Sequence, residues 1–383
     1  MLELKGININ NPCQLIQASF WKENQSRKTK MKTKHLILLL SFFLLMNCTS
    51  KEEETYTPVP YDLEIPTLFE QKLIAPVIPT NNPLTEEGVA LGKKLFFDEI
   101  LSGDGTQSCA SCHHSEKSFT DNQQFSDGID GNFGTRNSMP LFNLAWNFNE
   151  RFTWDGKELS LERQALEPVS NPIEMHSNWT NVAQKLQNHP EYPTLFLQAF
   201  GTATIDSTLV TKAIAQFERI LISGNSKFDK YLRGETTLTT QEQNGFNIFM
   251  DEAKGDCFHC HGSDNNPLWT DNAFHNNGLD ATFTDLGLGA VSGDPADNGK
   301  FKSPSLRNLV FTAPYMHDGR FATLEEVINH YSEGLQLSST IDPLMKKVAQ
   351  GGVGLSTQEK TDLKVFLLSL SDFDFINNPN FRE

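Results

Sequence analysis

Three things are scarce in this 383-residue chain, and each absence narrows what it is. Period-two alternation of polar and apolar residues is scarce, so a sheet-based architecture is not expected. Hydrophobic length is scarce too. The apolar run from Leu36 to Met46 is about 11 residues, too short for a hydrocarbon core of roughly 30 Å. Positive charge is outweighed: 32 Lys and Arg face 48 Asp and Glu, a net of −16. The first 48 residues carry +5, which leaves −21 on the remainder. A body that acidic excludes nucleic acid, whose phosphates need basic partners, and suits the steering of a basic protein partner. The length allows two domains of ordinary size.

Spare cysteine is also lacking. The six are Cys13, Cys48, Cys109, Cys112, Cys257 and Cys260. The last four form CASCH (Cys109 to His113) and CFHCH (Cys257 to His261), 148 residues apart. Cys48 ends the hydrophobic run and Cys13 precedes it, so none remains for a structural disulfide. CxxCH is the attachment signature of c-type haem. Two thiols at this spacing add to the two vinyl groups of the macrocycle, and the adjacent His reaches the iron. Two CxxC pairs could together hold one zinc, but zinc leaves the following His unexplained in both copies. His113 and His261 are therefore the expected proximal ligands.

Lys32 and Lys34 precede the apolar run, and the polar stretch TSKEEET follows Cys48. This reads as an export leader over residues 1–48 that resembles a lipoprotein signal, with Cys48 as the lipidated residue. It places the protein in the periplasm on a membrane anchor, and the acidic run after Cys48 resembles a surface-export signal. Residues 49–82, rich in Pro, Thr, Asn and Glu, read as a tether. Thr85-Glu86-Glu87 resembles a helix N-terminus with Leu91, Leu95 and Phe96 on one side. Further helices are expected over 160–167, 178–188, 207–223, 239–253, 323–332 and 357–370, with loop over 264–299. The expectation is a mostly α fold of two cytochrome-c-like lobes with long loops, each lobe holding one covalently bound c-type haem. The lobes are set at 83–235 and 236–383, with the join between Gly224 and Thr239.

LGKKLFFDEILSGDGTQSCASCH (91–113), GTRNSMPLFN (134–143), FTWDGKELSLERQALEPVSNPIEM (152–175) and FKSPSLRNLVFTAPYMHDGRFATLEEVINHY (301–331) resemble the bacterial dihaem cytochrome c peroxidases. That superfamily includes the MauG-type enzymes, which mature a tryptophan-derived quinone. The resemblance spans nearly all of residues 83–375. It implies reduction of hydrogen peroxide to water by a small exported electron donor such as a monohaem cytochrome c, and homodimers are common in the family. The MauG type spends peroxide on oxidising a protein or organic substrate instead.

By resemblance, the first haem is the peroxide site. In the peroxidases a His sixteen residues past the proximal ligand caps it, but here that position is Ile129, which implies an open sixth side. Glu174 and Gln164 match the distal acid/base and its polar neighbour, and O–O cleavage needs such a proton carrier. Trp154 matches the aromatic between the two haems. Peroxidases supply Met as the second haem's sixth ligand fourteen residues past the His of PYxHDG. Counting from His317 gives Tyr331, which shares a helical stripe with Leu324, Val327 and Ile328 while His330 lies off it. Tyr ligation is the MauG-type feature. Met316 and His317 are weaker candidates. Asn137, Thr312 and Pro314 match the protein ligands of a calcium ion, and Arg136 and Arg307 are expected to pair with haem propionates.

Overall fold

Helices begin where the sequence supplies caps. In the computed structural model, which describes residues 56–383, the Thr85 hydroxyl accepts the Gly88 amide at 3.1 Å and opens a helix over Glu86–Phe97. Thr239 and Glu242, Thr323 and Glu326, and Ser356 and Glu359 form reciprocal capping boxes at three further helix starts. In chain order the helices are α1 Thr67–Lys72, α2 Glu86–Phe97, α3 Leu161–Gln164, α4 Leu166–Ser170, α5 Trp179–Asn188, α6 Tyr192–Phe200, α7 Ser207–Arg219, α8 Lys227–Leu232, α9 Thr240–Met250, α10 Phe258–His261, α11 Leu288–Ser292, α12 Leu324–Glu333, α13 Thr357–Leu368 and α14 Phe373–Ile376. Among the described residues the only sheet is two two-residue strands, β1 Phe274–His275 and β2 Phe301–Lys302, paired antiparallel. No helix of the described residues is long and apolar enough to cross a membrane.

Two helix pairs build the interior. Helix α2 packs along α7, and α9 along α13. Each crossing is closed by a glycine. A Cβ on Gly92 would lie 1.9 Å from the Ala213 carbonyl oxygen, and one on Gly245 would lie 2.0 Å from that of Asp362. Only hydrogen in place of a side chain lets backbones come that close. Two large apolar clusters form around these pairs. One holds Leu95, Phe96, Phe119, Val210 and Phe217, the other Phe228, Phe249, Trp269 and Phe366.

Three expectations differ from what is found. Within the expected tether, Phe69 on α1 is buried against Trp146, with ring centroids 5.3 Å apart. A single helix turn between Pro66 and Pro76 is too short to show a period, yet its two apolar side chains suffice to seat it. Phe228 of the second cluster already lies before the expected boundary at 235, and the C-terminus crosses back to the first. Phe375 and Phe381 belong to the first cluster, with Phe375 against Phe119 and Phe142. Residues Tyr56–Glu383 form one compact unit. The long loop of 264–299 carries β1 and α11. Cys13, Cys48 and the leader lie outside the described residues.

One buried group in α7 has no partner for its Oε2 atom: Glu218, only 4% exposed. Burial pushes its carboxyl up to about 8 from an ordinary 4.5. Between those values the folded chain keeps a proton that the unfolded chain releases. Stability is therefore full below about pH 4.5 and falls as pH rises through about 8. The loss is on the order of 5 kcal/mol at its full extent. In denaturant titrations from pH 5 to 9 the wild type should lose stability with rising pH, and Glu218→Gln should stay flatter. Parallel curves would mean the carboxyl is solvated in solution.

Candidate haem sites

Each CxxCH segment is one helical turn. His113 N–H donates to the Cys109 carbonyl at 3.0 Å, and His261 N–H donates to that of Cys257 at 3.1 Å. The turn puts the two cysteines on one side, with the His one turn beyond the first of them. All four thiols are free. The two imidazoles are fixed in the same way. His113 Nδ1 lies 2.7 Å from the Phe119 carbonyl oxygen, and His261 Nδ1 lies 3.2 Å from that of Pro304. A carbonyl only accepts, so Nδ1 carries the proton and Nε2 keeps the lone pair a metal needs. Burial pushes His261 down to about 4 and His113 below its ordinary value, which holds both rings in the neutral, ligating form.

Two serines complete the parallel, and neither is apparent from the motifs. Ser138 Oγ donates to the Cys112 carbonyl at 2.9 Å, and Ser303 Oγ donates to that of Cys260 at 3.0 Å. Each also lies near its His Nδ1, at 3.5 and 3.4 Å. The available sequence signal was a Ser closely followed by Pro in both RNSMP and FKSPS.

Around the second motif lies a cavity of about 220 Å³ lined by Cys257, Cys260 and His261 together with Tyr331, Met316 and Asn277. Leu324, Val327, Ile328 and Tyr331 all line it, so the stripe on α12 faces one space. His330 does not line it; its Nε2 lies 3.3 Å from the Asn277 carbonyl oxygen, and its ring packs edge-on to Tyr331. The Tyr331 hydroxyl oxygen accepts from the Asn277 side-chain amide at 3.0 Å, and desolvation pushes the phenol up to about 12. His317 also lines the cavity but is stacked on Phe301, with centroids 3.6 Å apart.

Near the first motif, Glu174 is half-buried; burial raises the Cys112 thiol, with Asp121 and, to a lesser extent, Glu174 adding to the shift. Desolvation holds the Glu174 carboxyl above the ordinary carboxylate range, while the Asn171 side-chain amide, donating to it at 2.8 Å, pulls the other way. Ile129 N–H donates to the Glu174 carbonyl at 3.0 Å, so the aliphatic residue at the capping position sits beside the carboxylate segment. Gln164 ends α3, half-buried, and no hydrogen bond joins it to Glu174.

Trp154 is buried and lines the cavity around the second motif. Its indole N–H donates to the Asn137 carbonyl at 2.8 Å, and the next residue, Ser138, holds the first haem motif. Trp154 is thus joined to one motif and faces the space of the other. Asn137, Thr312 and Pro314 line that same cavity. The Asn137 side-chain nitrogen donates to the Gln123 carbonyl at 2.7 Å, which leaves its side-chain oxygen as an acceptor.

Both expected propionate partners are otherwise engaged. Arg307 is 0% exposed, and its two terminal nitrogens hold Asp229 at 2.9 and 2.5 Å. Arg136 spans Asp155 at 2.6 Å and Asp285 at 2.8 Å. Asp229 takes both terminal nitrogens of Arg307, and Asp285 and Asp155 together take all three nitrogens of Arg136, so both motif arginines are held by protein carboxylates.

The residues present fit two covalently held haems. Each site has free paired thiols one turn apart and a neutral imidazole tethered at Nδ1, and the second adds an apolar-walled cavity. Comparison with known proteins agrees. The family model described as di-haem cytochrome c peroxidase matches residues 86–237. The methylamine utilization protein MauG of Methylophilus methylotrophus is 34% identical over 346 residues, 89% of this chain and 96% of that protein. The cytochrome c551 peroxidase of Nitrosomonas europaea is 35% identical over 260 residues, 67% of this chain and 74% of that one. A crystal structure of a MauG-like protein associated with microbial copper homeostasis superposes with a TM-score of 0.75 at 36% identity, covering 84% of this chain and 98% of that one.

Proposed function

Because this chain belongs to the bacterial dihaem cytochrome c peroxidase and MauG superfamily, we propose that it is an exported peroxidase that reduces hydrogen peroxide to water with electrons from a small donor such as a monohaem cytochrome c. The observation that carries this reading is Glu174, desolvated beside the first haem motif and aimed by Asn171. A plain electron carrier has no use for a carboxyl held ready to take and give a proton.

The haem held by Cys109, Cys112 and His113 supplies, when bound, an iron that accepts peroxide and takes up its oxidising equivalents. Glu174 takes the proton from the near oxygen of peroxide and delivers it to the far oxygen, which leaves as water. Gln164 holds the peroxide through its amide. Ile129 has no lone pair to offer, so that position would supply no ligand to an iron bound at this site. Trp154 relays electrons between the two sites. Its N–H is bonded to a carbonyl, which cannot accept a proton, so the indole passes an electron without losing one. Two electrons and two protons convert each peroxide to two waters. Asn137, Thr312 and Pro314 hold a calcium ion between the sites through oxygen donors. Cys48, outside the described residues, anchors the protein on the periplasmic side.

A second reading is supported by Tyr331. A phenolate is a hard, anionic donor that favours ferric iron over ferrous. With Tyr331 as ligand the second site serves poorly as an electron entry port and well as a store of oxidising equivalents. That is the MauG-type use, in which a protein or organic substrate is oxidised.

Peroxide turnover by the fully oxidised protein, with a reduced small cytochrome as donor and with or without pre-reduction, separates the two. Fast donor oxidation without pre-reduction is the expected result. Peroxide that oxidises the haems without consuming donor electrons would replace the first reading with the second.

A further inference from the structure

We infer that the second haem has two alternative axial ligands, Tyr331 when oxidised and Met316 when reduced, exchanged across the Asn277 amide. The inference rests on the reading of Tyr331 as the ligand of the oxidised state and goes beyond it.

The geometry begins with one nitrogen. Asn277 Nδ2 lies 3.0 Å from the Tyr331 hydroxyl oxygen and 3.6 Å from the Met316 sulfur. A thioether has no proton to give, so the edge of the amide facing Met316 must be the NH₂ edge. That assignment fixes the second contact: the same NH₂ also donates to Tyr331, and the phenol oxygen is an acceptor there. An acceptor oxygen is what a phenolate ligand presents. Asn277 therefore solvates the phenolate with one hydrogen and touches the sulfur with the other. Both side chains line the cavity that holds His261 and the second pair of thiols.

The backbone at Met316 is a second observation. Met316 has φ of +74°, a left-handed conformation that a long side chain rarely adopts. The turn around it is closed by Tyr315 N–H donating to Phe321 at 2.7 Å and Gly319 N–H donating to Met316 at 3.2 Å. Backbone held in a sparsely populated region marks a place where side-chain direction has been favoured over local comfort. Here it puts a soft thioether into the same space as a phenol.

Ligand hardness sets the direction of exchange. The anionic oxygen prefers ferric iron and the thioether prefers ferrous iron. On reduction by a one-electron donor, such as a reduced small cytochrome, the iron gains one electron. The Fe–O bond to Tyr331 breaks, the phenolate takes one proton from water, and the Met316 sulfur forms the Fe–S bond. Oxidation reverses each change and returns the proton.

The test uses the intact dihaem protein, with two attached haems per chain confirmed for every variant by haem staining. Optical and electron paramagnetic resonance spectra are recorded for wild type, Met316→Leu and Tyr331→Phe, oxidised and dithionite-reduced, and carbon monoxide uptake is titrated on the reduced forms. Met316→Leu should leave the oxidised spectra unchanged, lose the low-spin signature of the reduced second haem, and raise carbon monoxide uptake from one to two per chain. Tyr331→Phe should keep an oxidised low-spin second haem, now with thioether character, and raise its reduction potential. A Met316→Leu protein identical to wild type when reduced overturns the exchange while leaving Tyr331 as ligand. A Tyr331→Phe protein with wild-type oxidised spectra overturns Tyr331 ligation and the exchange with it.

Discussion

Glu174→Gln should lower peroxide turnover by about 10²- to 10⁴-fold, the usual contribution of a positioned proton carrier, with both haems still attached. The amide matches the carboxyl in shape and keeps the contact with Asn171, but it cannot pick up a proton from one peroxide oxygen and release it to the other. The pH profile carries the same information with its sign fixed. Glu174 must start as the carboxylate, and desolvation holds its carboxyl above the ordinary range. The rate should therefore fall as pH drops through a value higher than an exposed Glu would give, and this acid limb should vanish in Glu174→Gln. Asn171→Ala removes the one hydrogen bond that opposes the upward shift, so its acid limb should move to still higher pH. Turnover by Glu174→Gln at the wild-type rate would remove the residue from the chemistry. An Asn171→Ala profile that does not move would mean the two side chains are not bonded in solution.

How far the sequence reveals this architecture depends on the range of the interaction. Helix starts are visible because a cap and its partner lie three residues apart, as in Thr239 and Glu242 or Thr323 and Glu326. The α12 stripe is visible for the same reason, and it sends Tyr331 rather than His330 into the cavity. The haem turns are visible because all their chemistry sits in five residues. What stays hidden is set by contacts between distant segments. Asn277 lies 54 residues from Tyr331 in a stretch that reads as loop. The C-terminal Phe375 returns to Phe119 across most of the chain. Ser138 and Ser303 meet their motifs only after folding. Arg307, whose fork suits a propionate, meets Asp229, 78 residues away in the sequence.

That pair carries the largest expected loss of stability. Arg307 and Asp229 are both 0% exposed, joined through both guanidinium forks, and Arg307 Nε also donates to the Pro267 carbonyl at 2.7 Å. The Asp229 carboxylate further accepts the Ser226 amide at 2.7 Å and so caps α8. The guanidinium lies over the Phe69 ring at 5.4 Å, which ties α1 to the same point. Asp229→Asn keeps the volume and a cap acceptor but removes the charge. A full positive charge is then left in a dry site with no counter-ion, an outcome that costs about 3–5 kcal/mol. The denaturant midpoint should fall accordingly, and Arg307 itself does not line the cavity. The competing assignment, a propionate on Arg307, makes the opposite forecast. There Asp229→Asn would barely move the midpoint, since the propionate would still balance the charge. The denaturant midpoint of Asp229→Asn therefore decides between a structural and a cofactor-directed arginine.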